Sequence, residues 1–232
     1  MLTPARRRGI EILDDPRVDP VVRLRSMGDV ARSNRWLGGL RAASQELRDV
    51  LGRAPRDVPL TLLDVGTGLA DIPHEASRAA RLLGVGLTTI GLDGAPAVLL
   101  EARQRTSFVV CASALALPFA DGSIDVVLCS QLLHHFSESD AARLLRELDR
   151  VARHAVIVSD LRRSWIAASG FWLASFPLRF HRVTRHDGVV SVLRGFTQRE
   201  LHELVGDAVA AAPTVTRRLG FRLTARWRPA AP

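Results

Sequence analysis

The sequence predicts an α/β protein built on a doubly wound, seven-stranded, mostly parallel sheet, and three observations carry that prediction. Between residues 60 and 160, short apolar runs alternate with segments of helical spacing, the pattern of repeated strand-helix units. The first of those runs breaks at Gly66-Thr67-Gly68 and continues as a helix-like segment, so a strand feeds a helix through a glycine turn. Near the C-terminus, the runs 209–218 and 221–227 flank Leu219-Gly220 and read as an antiparallel hairpin that closes the sheet.

Composition bounds the rest. The chain has 232 residues, 47% hydrophobic and 24% charged, which suits one globular domain. It has no run of eighteen apolar residues, and its first residues lack a signal-peptide core, so a cytoplasmic protein is expected. Cys111 and Cys129 fall in strand-like runs and read as buried thiols, with neither disulfide nor metal expected. The net charge is +8, and all 32 basic residues are arginine. They are scattered, so a solvated surface is the reading and no nucleic-acid partner is expected. Without lysine or tyrosine, Schiff-base, P-loop and tyrosine-base chemistry are excluded.

In chain order, residues 9–51 read as helical, with Val21, Leu24, Met27, Val30 and Ala31 at helical spacing, then Trp36, Leu37 and Leu40 on a second stretch. Pro16 and Pro20 punctuate the start, and 52–59 is a linker. Leu60 to Val65 is the first strand and Ala70 to Leu83 the helix after it. Gly66 permits the tight turn, and Gly68 lets backbone approach a ligand without a Cβ, a geometry suited to a nucleoside cofactor. Gly86 to Leu92 is the second strand, ending at Asp93-Gly94 before a helix that runs to about Arg105. A carboxylate in the place of Asp93 can accept from both ribose hydroxyls. Ser107 to Cys111 and Ile124 to Cys129 are the third and fourth strands. A helix over 139–153 presents Leu144, Leu145, Leu148 and Val151 inward, and Ala155 to Ser159 is the fifth strand. Thr197 and Glu200 form a capping box for a helix to Val205, which turns at Gly206-Asp207. Pro229 to Pro232 is a short biased tail.

Three stretches carry a resemblance: Asp64-Val-Gly66-Thr67-Gly68, Gly91-Leu-Asp93, and Ala114-Leu-Ala-Leu-Pro-Phe119. Over residues 60–160 the chain resembles the Rossmann-like S-adenosylmethionine-dependent methyltransferases of the small-molecule type. The resemblance implies S-adenosyl-L-methionine as cofactor, bound by Asp64, Gly66, Thr67, Gly68, Asp93, Gly94, Ser113, Ala114 and Ser130. Two departures stand out. Ala70 or Asp71 replaces a third glycine, and Ser113 replaces the aspartate that receives the adenine amino group. N-terminal helices often cover the cofactor in such enzymes. Arg35 then either meets the methionine carboxylate or lies in water at a helix junction.

His134 and His135 follow the fourth strand, at the strand ends where open α/β sheets bind ligands. A neighbouring imidazole pair suits a general base near neutral pH, although one of the two can serve only as a cap or in packing. Asp160 ends the fifth strand, and His134, His135 and Asp160 resemble a set found in some natural-product O-methyltransferases. Residues 164–194 form an insertion where such enzymes place a substrate cap. Its apolar run can line a pocket, lie on a bilayer surface, or pack as core. Trp165, Trp172, His186 and Asp187 are its candidate substrate contacts, with a polar turn as the alternative at 185–188. The domain therefore divides into an N-terminal helical cover (1–51), a cofactor core (60–160), a cap (161–196) and a last helix with its hairpin (197–232). The expected activity is methylation of a hydroxyl on an apolar or aromatic small molecule, phenolic, polyketide, quinone or lipid-like, as in secondary metabolism. An RNA or protein methyltransferase and an inactive cofactor-fold binding domain are the alternatives, and the oligomeric state is left open.

Overall fold

The computed structural model describes residues 3–7, 9–15, 17–209 and 211–229. Pro16 and the last three residues of the Pro-Ala-Ala-Pro tail lie outside them. Seven strands form one sheet in the order β3-β2-β1-β4-β5-β7-β6. They are β1 (Leu60–Val65), β2 (Leu87–Asp93), β3 (Phe108–Cys111), β4 (Ile124–Ser130), β5 (Ala152–Leu161), β6 (Thr214–Arg218) and β7 (Arg222–Trp227). The first five pair in parallel, and β7 runs antiparallel to both β5 and β6, so the sheet is mixed.

The described helices are α1 (Pro20–Trp36), α2 (Gly39–Leu51), α3 (Asp71–Leu83), α4 (Pro96–Ala102), α5 (Glu138–Val151), α6 (Trp165–Ala174), α7 (Arg182–Arg194) and α8 (Gln198–Ala208). Alternate residues of the central strands feed two cores. Leu63, Val65, Val127, Cys129, Val156 and Val158 pack with Leu144 and Leu148 of α5 and Leu201 and Val205 of α8. Leu62, Val126, Leu128 and Ile157 pack on the other side with Ala43 and Leu47 of α2 and Ile72 and Ala76 of α3. Buried on both faces, β4 reads as an unbroken apolar run from Val126 to Cys129.

Several expectations are corrected. Among the described residues, 9–15 and 17–19 precede the first helix and hold only a short 3-10 turn, Ile12–Asp14. The buried side of α1 is polar, with Ser26, Asp29 and Ser33 inward, while Val21 is 74% exposed and Leu24 is also exposed. The cause is α7: Asp29 accepts from the His181 N–H at 2.7 Å and from the Thr184 hydroxyl at 3.1 Å, so α1 is held against the cap by hydrogen bonds. Cys111 lies at the end of β3 on the sheet edge and is exposed, whereas Cys129 is a buried free thiol. The turn expected at Gly206-Asp207 lies inside α8, which runs on to Ala208, and β6 begins only after Pro213. The insertion is two helices: α6 and α7 pack together, with Phe171 against Gly188, where a Cβ would stand 2.1 Å from Phe171 Cε1. Residues 185–188 are therefore helical and form no turn.

Candidate active site

The parallel register brings the ends of β1, β2, β4 and β5 to one edge, and a cavity of about 880 Å³ opens above them. At its β1 end, Gly66 (φ 74°) and Gly68 (φ 54°) adopt left-handed backbone, and a Cβ on Gly66 would lie 2.9 Å from Leu132. The Gly68 N–H donates to Asp93 Oδ2 at 3.1 Å, and Asp93 Oδ1 accepts from the Ala95 N–H at 3.0 Å. These bonds fix the Asp93 carboxylate at the cavity wall beside Gly66 and Gly68. Asp64 is buried and accepts from the Thr67 hydroxyl at 2.9 Å, which locks the turn from below. Burial pushes its carboxyl up to about 7, and its other oxygen has no partner.

At the β4 end, the chain turns at Gln131 (φ 53°), whose N–H donates to Ser159 O of β5 at 2.8 Å. The Gln131 side chain donates to Asn34 of α1 and accepts from Arg222 Nη1 at 2.9 Å. A 3-10 turn, Leu133–His135, follows. The His134 N–H donates to Asp160 Oδ2 at 3.1 Å, and His134 Nδ1 is hydrogen-bonded to Asp160 Oδ1 at 2.7 Å. Burial alone would raise the Asp160 carboxyl, but His134, the Leu161 N–H and His135 outweigh it and hold it below the usual range. His134 Nε2 is buried without a hydrogen-bond partner, 4.0 Å from Glu11 Oε1.

The N-terminal segment straps this end of the cavity. Asp187 of α7 accepts from the Ile12 and Leu13 N–H groups, each at 2.9 Å. Arg194 donates to Gly9 O, Glu11 Oε1 and Asp14 Oδ2 at 2.8, 2.9 and 3.0 Å. His135 Nδ1 lies 3.3 Å from Asp14 Oδ1, and its ring centroid is 4.2 Å from that of His134. Burial would lower the His135 pKa, but Asp14, Glu11 and Asp160 outweigh it and raise it, while His135 and Arg194 bring Asp14 down to about 2. Glu11, His134 and His135 each bring a possible metal-ligand atom within 4.8 Å of the others, but the Arg194 guanidinium already neutralises Glu11 there.

Of the residues singled out in the sequence, Gly66, Gly68, Asp93, His134, His135 and Asp187 line the cavity, and Asp160 stands directly behind His134. Gly94 adjoins the wall, and Ser130 Oγ is buried without a partner beneath it. Ser113 and Ala114 are not brought to the wall, and Ser113 Oγ accepts from the Leu115 N–H at 3.2 Å. Trp165, Trp172 and His186 point away as well. Trp165 lies under Arg7, Trp172 meets Phe176 edge-on, and His186 bonds Asp187 at the surface. Ile166, Ala167, Gly170 and Phe171 form the apolar cap wall in their place. Arg35 reaches the wall near Trp36, which is itself largely exposed.

Sequence reasoning missed Glu11, Arg194, Asn34, Gln131 and Arg222. Arg222 is the most informative. It is buried on the chamber wall, its Nε has no partner, Gln131 is its hydrogen-bond acceptor, and desolvation lowers its pKa to about 10. An arginine opening a strand that otherwise buries nearly every residue was the available signal.

A glycine turn, a carboxylate on the next strand and a large chamber at the strand ends make up the arrangement with which Rossmann-like folds bind nucleoside cofactors. The profile of the family described as "Methyltransferase domain" matches residues 63–158. An uncharacterized methyltransferase of Mycolicibacterium gilvum is 28% identical over 197 residues, 82% of this chain and 71% of that one. Among solved structures, an S-adenosylmethionine-dependent methyltransferase from Aquifex aeolicus superposes with TM-score 0.55 at 18% identity, covering 79% of this chain and 89% of its own. Magnesium protoporphyrin IX methyltransferase from Synechocystis, with S-adenosylmethionine bound, superposes with TM-score 0.54 at 15% identity, covering 93% and 100%. Residues 63–158 are thus similar to the methyltransferase-domain family, most of the chain is similar to a methyltransferase, and its fold is that of S-adenosylmethionine-dependent methyltransferases.

Proposed function

We propose that the chain methylates a hydroxyl group on an apolar small molecule held beneath α6, with His134 as general base. The observation that carries this reading is the state of the His134 ring. Asp160 engages Nδ1 at 2.7 Å, and Nε2 is left buried without a partner at the wall of the chamber. A carboxylate on Nδ1 selects the tautomer whose Nε2 carries the lone pair, so that atom is poised to take a proton. His135 faces Asp14 and Arg194 at the strap and serves there as a structural contact.

The residues at the β1 and β2 ends suit the cofactor: two glycines whose added Cβ atoms would crowd Leu132 and Met27, and a carboxylate already aimed along the wall. Gly66, Gly68 and Asp93 would hold it, with Asp93 accepting from the ribose hydroxyls. When bound, the cofactor supplies a methyl group on a sulfonium leaving group. The acceptor proton passes to His134 Nε2 while Asp160 stabilises the imidazolium. Arg222, close enough to Asp160 to feel its charge, stabilises the developing oxyanion. The cap wall of Ile166, Ala167 and Phe171 excludes water and selects apolar acceptors, aromatic, polyketide, quinone or lipid-like. We read the sheet as doubly wound, which places this chamber where its strand order reverses.

The test is turnover over a panel of phenols, quinones, hydroxylated lipids and RNA. Wild type should methylate a hydroxylated apolar compound. His134→Ala and Asp160→Asn should lose turnover while retaining S-adenosylhomocysteine binding. Methylation of RNA alone, or normal turnover by both variants, would refute the reading.

A further inference from the structure

We propose that α6 and the turn after it dock on an anionic lipid bilayer. The helix is apolar all round, and its two sides do different work. Ala167, Gly170 and Phe171 face the cavity, and Ala168 packs in the small core with Val192 and Leu193. On the other side, Trp165, Ile166, Trp172 and Leu173 fall within an arc of about 120° at 100° per residue, and Phe176 continues it one turn on. All five are between 39% and 61% exposed, with Ser169 as the polar member of that side.

The charge around this stripe is one-sided. Residues 161–186 contain Arg162, Arg163, Arg179, Arg182 and Arg185 and neither aspartate nor glutamate. Arg163 is buried against Glu200, but Arg7 lies over the Trp165 ring at 5.2 Å and Arg185 over the Phe176 ring at 3.8 Å. Arg179 and Arg182 are exposed just beyond. Tryptophan, phenylalanine and leucine on one face with arginines at its rim is the make-up of a helix that lies in the headgroup layer. A symmetric contact with a second copy would bring one arginine rim onto another, which the charge pattern opposes. A surface of negative headgroups complements both the stripe and the rim. No helix of the described residues is long and apolar enough to cross a membrane, so the contact is peripheral.

The geometry also supplies a route. Ile166 lies on both sides, exposed at the stripe and lining the chamber, so a bilayer-dissolved acceptor would enter past it without crossing water. That delivery rests on the methyl-transfer reading; the docking does not, because it is read without turnover.

The experiment is flotation of the full chain with vesicles of phosphatidylcholine alone and of phosphatidylcholine with phosphatidylglycerol. Wild type should float with the anionic vesicles, less so as salt rises, and remain largely unbound with the neutral ones. Trp172→Ser with Leu173→Ser should weaken binding at least about tenfold, and Arg179→Gln with Arg182→Gln by about fivefold per arginine. Both pairs should keep the melting temperature and S-adenosylhomocysteine affinity of wild type, and His134→Ala should bind vesicles as wild type does. Failure of wild type to float, or equal flotation by the stripe variant, would overturn the proposal. So would a dimer that the stripe variant dissociates, since the face would then belong to a second copy.

Discussion

His134 Nδ1 lies 2.7 Å from Asp160 Oδ1, with both side chains buried and each contributed by a different strand end. Adjacent β4 and β5 create the pair, since Ser130 is in register with Ser159 and the turn after β4 lays His134 over Asp160. If this imidazole is the base, His134→Ala loses about 10² to 10⁴ in turnover with cofactor affinity nearly intact. His135→Ala, removed from the Asp160 bond, loses far less. Steady-state rates with calorimetry of S-adenosylhomocysteine binding check both.

Asp93 offers a different readout. Its oxygens already accept from Gly68 and Ala95, so the carboxylate is fixed before any ligand arrives. Asp93→Ala should weaken S-adenosylmethionine binding by roughly 1.5–3 kcal/mol, the range for hydrogen bonds to a charged group. Unchanged affinity in a folded variant would remove Asp93 from the cofactor site.

Arg222 should separate stability from function. A buried cation without a carboxylate partner costs folding free energy, so Arg222→Met should leave the melting temperature unchanged or higher. The same change removes the charge beside the base, and turnover should fall by at least about tenfold. A variant that melts lower and turns over normally would make Arg222 a structural residue.

The strap should loosen in alkali. His135 has a raised folded pKa, so its contribution is fully present below the unfolded value near 6.5 and is lost as pH rises through the folded value. Asp14, lowered to about 2, contributes above its unfolded value of 3.8 and fails only as pH falls towards 2. Between those limits, hydrogen exchange in residues 9–15, corrected for intrinsic rates, should be slowest on the acid side of neutrality and faster near pH 9. His135→Gln should abolish most of that dependence.

Gly188 tests the cap. A Cβ there would stand 2.1 Å from Phe171 Cε1, so either the packed ring or α6 itself must shift. Gly188→Ala should therefore push α6 from α7 and destabilise the protein by about 1–3 kcal/mol, measured by denaturant titration. Wild-type stability would mean that Phe171 swings freely into the chamber.

Much of this arrangement is legible in the sequence. The β1 turn, Asp93, the alternation of strands with helices and the closing hairpin announce themselves through local periodicity and turn residues, which act over a few positions. His134, His135 and Asp160 were legible as candidates because strand ends collect ligands. The inward side of α1 was not, since Asp29 is buried by partners on α7 and apolar spacing misleads where packing is polar. Trp165 and Trp172 misled for a related reason: on a helix apolar all round, periodicity does not say which side meets the chamber. Glu11 and Arg194, 183 positions apart, have no local signature at all.

That separation bears on how the protein comes into being. The strap leaves the ribosome long before its anchors Asp187 and Arg194, so closing it is among the longest loops the chain must form. The sheet and its two cores rest chiefly on contacts nearer in sequence, which permits them to assemble while residues 3–15 are still loose. Refolding watched at the strap should then lag behind refolding watched at the core, and His134 would be covered by Glu11 only in the final phase.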